Sequence, residues 1–179
     1  MLEKVLYPTD FSDVSKKALG YIKQLKQAGI KEVVVLHVID EREIDAIFQH
    51  SAVRFEDIVR SIRADAKKEM DAVERELKGN GFTVKVRIER GIPFQNILRI
   101  EDEEDVSAIV IGSHGKSNIK EMLLGSVSEK VIRKSKKPVL VVKRGHTSSR
   151  ERIGFGTRID GVPLRLLRSC KTRVNCASR

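Results

Sequence analysis

The sequence predicts an α/β protein built on an open, five-stranded parallel sheet in the order 3-2-1-4-5, with helices on both faces. Two observations carry this. Apolar runs of strand length alternate with amphipathic stretches of helix length from residue 3 to residue 142, which is the pattern of parallel strands joined by crossover helices. The fourth apolar run, Ala108 to Ile111, then breaks at Gly112, with Gly115 close behind and Gly125-Ser126 after nine further residues. A buried strand therefore leads into a glycine-bearing loop and a helix start. Glycines let an anion approach the backbone, and free N–H groups at a helix start carry partial positive charge.

Residues 3–8 read as the first strand, ending at Pro8. Ser12 suits the N-cap of a helix whose apolar face is Val14, Ala18, Tyr21, Ile22 and Leu25, with Gly29 at its end. Val33 to Val38 form a second strand, apolar on both faces apart from His37, hence central. His37 is read as a core histidine rather than a ligand. Residues 41–53 are expected to be a mobile helical insert. Phe55, Ile58, Val59, Ile62, Ala66, Met70, Val73 and Leu77 recur at threes and fours, giving one amphipathic helix of about 25 residues, roughly 37 Å long. Residues 82–88 alternate apolar and polar, as in a half-exposed edge strand. Gly91 and Pro93 mark a turn and a helix start, with Ile97, Leu98 and Ile100 on the buried face of that helix.

Ser126 and Glu129 form an S-x-x-E capping box that opens the next helix. Pro138 precedes a last strand, Val139 to Val142. In the predicted order the first and fourth strands are neighbours and flank the topological switch point, where ligands of open α/β sheets bind. The last strand is an apolar edge, a hazard unless something pairs with it. A homodimer through Val139–Val142 is therefore expected.

The glycine loop is not a P-loop. That motif needs four residues between its first glycine and the Gly-Lys-Ser/Thr triplet. Gly115-Lys116-Ser117 stands only two residues after Gly112.

The chain has 179 residues and a net charge of +10, of which residues 144–179 supply nine basic and two acidic side chains. Residues 1–143 carry only +3, which argues against a nucleic-acid surface on the domain. Residues 144–179 show no helical or strand period and are expected to be disordered or foreign to the domain. Both cysteines, Cys170 and Cys176, lie there, so the domain has no disulfide framework. No stretch has the length of an apolar membrane span and no signal-peptide pattern opens the chain, so a cytoplasmic location is expected.

Gly112-x-x-Gly115, nine residues, then Gly125-Ser126 resembles the nucleotide-binding signature of ATP-binding universal stress proteins. The resemblance extends to Leu-Tyr-Pro-Thr-Asp at 6–10, Leu-His-Val at 36–38, Gly91-x-Pro93 and Pro-Val-Leu-Val-Val at 138–142, and so covers residues 1–143. It implies a Rossmann-like domain that binds ATP with Mg²⁺ or Mn²⁺, held through the phosphates, and dimerises through its last strand. It places Gly112, Gly115, Gly125 and Ser126 at the phosphates, beside Ser113, His114, Lys116, Ser117 and Asn118, with Val127 and Ser128 extending the helix start. Asp10 would bond the ribose hydroxyls, and Pro8, Thr9, Val38 and Ile111 would line the adenine pocket. Asp10 is acceptor-only when ionised and stands at the end of a strand, which suits that role. Capping of the first helix is its alternative.

These readings imply a nucleotide-dependent switch with an unidentified protein partner. No water activator or metal carboxylate stands beside the glycine loop, so little or no ATPase is expected and no catalytic residue is assigned. A nucleotide-free dimeric module and an adenylating enzyme on the same fold are the alternatives. The Ser-Gly-Gly-x-Asp-Ser loop associated with the latter is replaced by Pro-Thr-Asp-Phe-Ser.

Overall fold

The computed structural model describes residues 3–50, 53–115, 124–143 and the short strand 165–167. The order is β1 (Lys4–Pro8), α1 (Asp13–Leu25), β2 (Glu32–Asp40), α2 (Glu41–Gln49), α3 (Phe55–Gly79), β3 (Thr83–Gly91), α4 (Pro93–Glu103), β4 (Ala108–Gly112), α5 (Ser126–Lys134), β5 (Val139–Val142) and β6 (Arg165–Leu167). The first five strands are parallel and lie in the order β3-β2-β1-β4-β5, as the alternation of elements predicts.

Side-chain alternation along the strands builds two cores. Val5, Tyr7, Val33, Val35 and Val110 face α1 and α3, where Ala18, Ile22, Met70 and Leu77 are fully buried. Leu6, Val34, Leu36, Ile109 and Ile111 face α4 and α5, meeting Ile97, Ile100 and Val131. Because the strand period is two, each central strand needs apolar residues at every position. The insert between β2 and α3 is helical from Glu41 to Gln49, with Ile44 its one buried residue, packed in a separate cluster with Ile39 and Ile58.

Two expectations are corrected. The helix-capping box is not formed: Gly125 is the N-cap of α5 and makes no side-chain cap bond, so Ser126 is the first helical residue. The outer edge of β5 is not open. β6, within the stretch read as devoid of strand period, pairs with it antiparallel, with Val141 opposite Arg165. The rest of 144–179, including both cysteines, lies outside the described residues.

Polar order is concentrated at the C-terminal end of α4. Glu104, its side chain 6% exposed, receives Lys85 Nζ at 2.8 Å, Arg87 Nη1 at 2.9 Å and Lys4 Nζ at 3.2 Å. Lys85, followed by Lys4 and Arg87, holds the Glu104 carboxyl below the usual glutamate range against the opposing effect of burial. A carboxyl depressed by folding contributes stability above its ordinary pKa of 4.5, and that contribution is lost as the pH falls through the lower folded value. Stability to urea is therefore expected to fall below a pH of about 4.5. Glu104→Gln should be less stable than the wild type at neutral pH and decline less steeply on acidification. Equal slopes for the two proteins would show that Glu104 does not carry the effect.

Candidate functional site

The cleft lies where β1 and β4 diverge, at the C-terminal ends of the strands, and has a volume of about 320 Å³, the lower end of the range for small-molecule sites. Its floor and one wall come from β1 and the turn after it. Pro8, Thr9 and Asp10 all border the cavity. The turn is fixed from beneath by a directional chain of hydrogen bonds. The Phe11 N–H donates to Thr9 Oγ1 at 3.1 Å, Thr9 Oγ1 lies 2.6 Å from Ser15 Oγ, and Ser15 Oγ lies 3.1 Å from the Tyr7 hydroxyl. Tyr7 donates its only proton to the Ser15 carbonyl at 2.8 Å, so Ser15 donates to Tyr7 and Thr9 to Ser15. Burial pushes the Tyr7 phenol above its usual pKa, keeping it a donor.

Asp10 Oδ1 accepts the Ser12 N–H at 3.1 Å. Ser12, not Asp10, caps α1, its hydroxyl accepting the Ser15 N–H at 3.3 Å. Asp10 thus closes the turn and keeps its second oxygen towards the glycine loop: a Cβ on Gly115 would stand 2.6 Å from Asp10 Oδ2. A side chain at 115 would have to displace that carboxylate.

Gly112 has a different task. It is buried, and a Cβ there would meet Val14 Cγ1 at 3.1 Å and the Ser15 nitrogen at 3.3 Å. Its absence of a side chain lets α1 lie close over β4. Beyond it the loop is stapled on both sides. Ser113 N–H donates to the Val142 carbonyl at 2.8 Å, and the Ser113 carbonyl accepts the Gly125 N–H at 2.6 Å. Ser128 Oγ donates to the Gly112 carbonyl at 2.7 Å. These bonds hold the start of α5 against the end of β4 and bring Gly112, His114, Gly115, Gly125, Ser126, Val127 and Ser128 to one side of the cleft.

Val38 and Ile111 border the cavity as expected. Ser113 does not: its side chain is 1% exposed and bonds His114 Nδ1 at 2.9 Å, so its contribution is to the loop's shape. Lys116, Ser117 and Asn118 lie outside the described residues.

Several lining residues escaped the sequence reading. His37 borders the cleft while also bonding the Thr9 carbonyl at 2.8 Å. Asp40, Arg42 and Glu43 at the start of α2, Ile62 of α3, and Pro93 and Ile97 of α4 close the end opposite the glycine loop. The signal for α2 was present: Asp40 stands three residues before Glu43, a capping pattern that starts a helix at the tip of β2. Asp40 is the N-cap, accepting the Arg42 N–H at 3.0 Å and Arg42 Nε at 3.0 Å. That guanidinium holds the Asp40 carboxyl below its usual range. The cleft therefore has a polar end with glycines and a helix start, a carboxylate at its middle and an apolar end beneath an ion pair.

The model of the Universal stress protein family matches residues 1–143. Universal stress protein MJ0577 of Methanocaldococcus jannaschii is 46% identical over 156 residues, covering 80% of this chain and 96% of that protein. A solved structure of MJ0577 superposes with a TM-score of 0.75, covering 82% of this chain and 99% of that one. Two structures at 24% identity share the fold. One is a universal stress protein in complex with cAMP (TM-score 0.58, 79% of this chain and 97% of that one). The other is the universal stress protein from Archaeoglobus fulgidus in complex with dAMP (TM-score 0.54, 80% and 98%).

Proposed function

This chain belongs to the universal stress protein family, and from that premise we propose that it binds ATP in the cleft between β1 and β4 and works as a nucleotide-dependent switch in a stress response. The observation that carries the reading is the approach of Asp10 to Gly115. A carboxylate oxygen lies 2.6 Å from where a Cβ at 115 would stand, inside a cleft whose one end is apolar and whose other end is glycine and helix start. The donor set fits the ligand from end to end. Free backbone N–H groups at the start of α5 suit phosphates, Asp10 accepts from ribose hydroxyls, and Val38, Ile111 and Ile97 offer an apolar wall to a base. The two structural neighbours with cAMP and dAMP support an adenine nucleotide in this fold. Mg²⁺ or Mn²⁺ would come with the nucleotide, neutralising its phosphate charge.

The proposed role is binding, with turnover slow. Asp40 is paired with Arg42, and the Asp10 oxygen not held by the Ser12 N–H is the ribose acceptor in this reading, so neither carboxylate is assigned as a water activator. The switch acts in the cytoplasm on a protein partner. In a homodimer formed along β5, the second copy takes the edge that β6 occupies in the single chain. No helix among the described residues is long and apolar enough to cross a membrane.

Denaturing freshly purified protein and analysing the released small molecules by mass spectrometry tests the proposal. Roughly one ATP per chain, or micromolar binding of added MgATP where none is retained, is the expected result. A protein that releases no nucleotide and binds none on titration would refute it.

A further inference from the structure

The turn that carries Asp10 is held by one side chain from the neighbouring strand. His37 is 8% exposed in the middle of β2, among valines and a leucine that need no polar company. Its Nδ1 lies 2.8 Å from the Thr9 carbonyl. A carbonyl only accepts, so Nδ1 carries the hydrogen. The same ring stacks on Phe11, with centroids 4.5 Å apart and planes 29° from parallel. Phe11 has a φ of +63°, in the left-handed region that a bulky residue adopts only where its surroundings enforce it. His37 thus engages the residue before Asp10 through a hydrogen bond and the residue after it through a stacked ring. Asp10 is pinned between them, one carboxylate oxygen on Ser12 and the other turned to Gly115.

Resting on the nucleotide reading above, we propose that His37 is the positioning residue of that site: it holds the Asp10 turn in the conformation that grips a ribose, and so sets the preference for a ribonucleotide over its 2′-deoxy form. Without the Nδ1–H bond the Thr9 carbonyl loses a buried donor, the strained Phe11 conformation loses its support, and the turn relaxes. The Asp10 carboxylate then leaves the place where it meets the sugar. The sheet pairing and the buried residues of both cores do not depend on that bond.

The test compares His37→Asn, His37→Gln and His37→Leu in the full chain, titrating MgATP and 2′-deoxy-MgATP and recording urea midpoints. The asparagine amide nitrogen falls near the place of Nδ1, whereas the glutamine amide reaches the place of Nε2. A charge-assisted bond to a ribose hydroxyl corresponds to about tenfold or more in affinity. The wild type is expected to prefer ATP over the deoxy form by about that factor. His37→Leu and His37→Gln should lose about tenfold for ATP, and their preference should collapse towards one. His37→Asn should keep most of both, which a merely structural role would not predict. If the leucine variant fails to fold, the asparagine and glutamine pair still decides. The inference is overturned if His37→Gln keeps the wild-type preference, or if His37→Asn loses as much as His37→Gln at equal stability. A wild type that binds neither nucleotide removes the nucleotide reading and this inference with it. One that binds, with a preference indifferent to residue 37, removes this inference alone.

Discussion

Gly115→Val is expected to eliminate measurable ATP binding, a loss of about 100-fold or more, while leaving the urea midpoint close to that of the wild type. The added Cβ stands 2.6 Å from Asp10 Oδ2, well inside contact distance, and the two further methyl groups of valine add bulk at the rim of the cleft. The Asp10 carboxylate must give way, and its other oxygen is held by the Ser12 N–H. The site loses both its space and its acceptor. Stability is spared because Gly115 is exposed at the rim. Gly112→Ala makes the opposing control. Its Cβ would press on Val14 and on the backbone nitrogen of Ser15, so it should lower stability by separating α1 from β4. Calorimetric titration with MgATP alongside urea melts separates the two effects. Wild-type affinity in Gly115→Val would show that the nucleotide, if bound, does not lie against Asp10.

The difference between these two glycines marks where sequence reasoning ends. Both belong to the same motif, and spacing alone gives them the same role. Only the distances show that one lies against α1 and serves packing, while the other faces Asp10 across the cleft. The sheet order was legible because hydrophobic period and chain connectivity are local properties, each strand and helix announcing itself within a dozen residues. That Asp10, Gly115, Gly125 and Ser126 meet at one cleft was legible for a related reason, since they stand at strand ends and a helix start. The far wall was not. Arg42 and Glu43 fall in the stretch read as a mobile helical insert, and Ile62 on the apolar face of a long helix, until the fold brings α2 and α3 to the cleft beside the end of β2. His37 was read as a satisfied core histidine, which its burial and its bond to Thr9 bear out; that the same ring also borders the cleft shows only in the fold. Ser126 misled in the other direction: its pairing with Glu129 matches a capping box, yet the staple between Gly125 and Ser113 sets the helix start one residue earlier.

Glu101→Ala is expected to destabilise the protein by about 3–5 kcal/mol, a large part of the 5–15 kcal/mol typical of a whole domain. In sequence Glu101 is one more charge on a helix rich in them. In the fold it is 1% exposed, and a single oxygen, Oε1, accepts from Ser135 Oγ at 2.8 Å, the Lys136 N–H at 2.9 Å and the Lys137 N–H at 2.7 Å. These donors belong to the turn that ends α5 and leads into β5. Removing the carboxylate takes the shared acceptor from the buried Ser135 hydroxyl and from two part-buried N–H groups, with Ser135 Oγ at 3.1 Å left as the acceptor for Lys137, and each acceptor lost costs about 1–3 kcal/mol. Glu101→Gln keeps a carbonyl oxygen at the Oε1 position and should cost far less, about 1 kcal/mol. Urea denaturation of the two variants gives the comparison directly. An alanine variant within 1 kcal/mol of the wild type would mean that water replaces the carboxylate, and a glutamine variant as weak as the alanine would mean that charge rather than acceptor geometry holds the turn. The clamp lies at the end of α5 remote from the cleft, so the folded Glu101→Ala protein should bind MgATP within about threefold of the wild type. The same helix therefore carries two separable tasks: its first turn borders the cleft, and its last is tied down by a carboxylate that does not reach it.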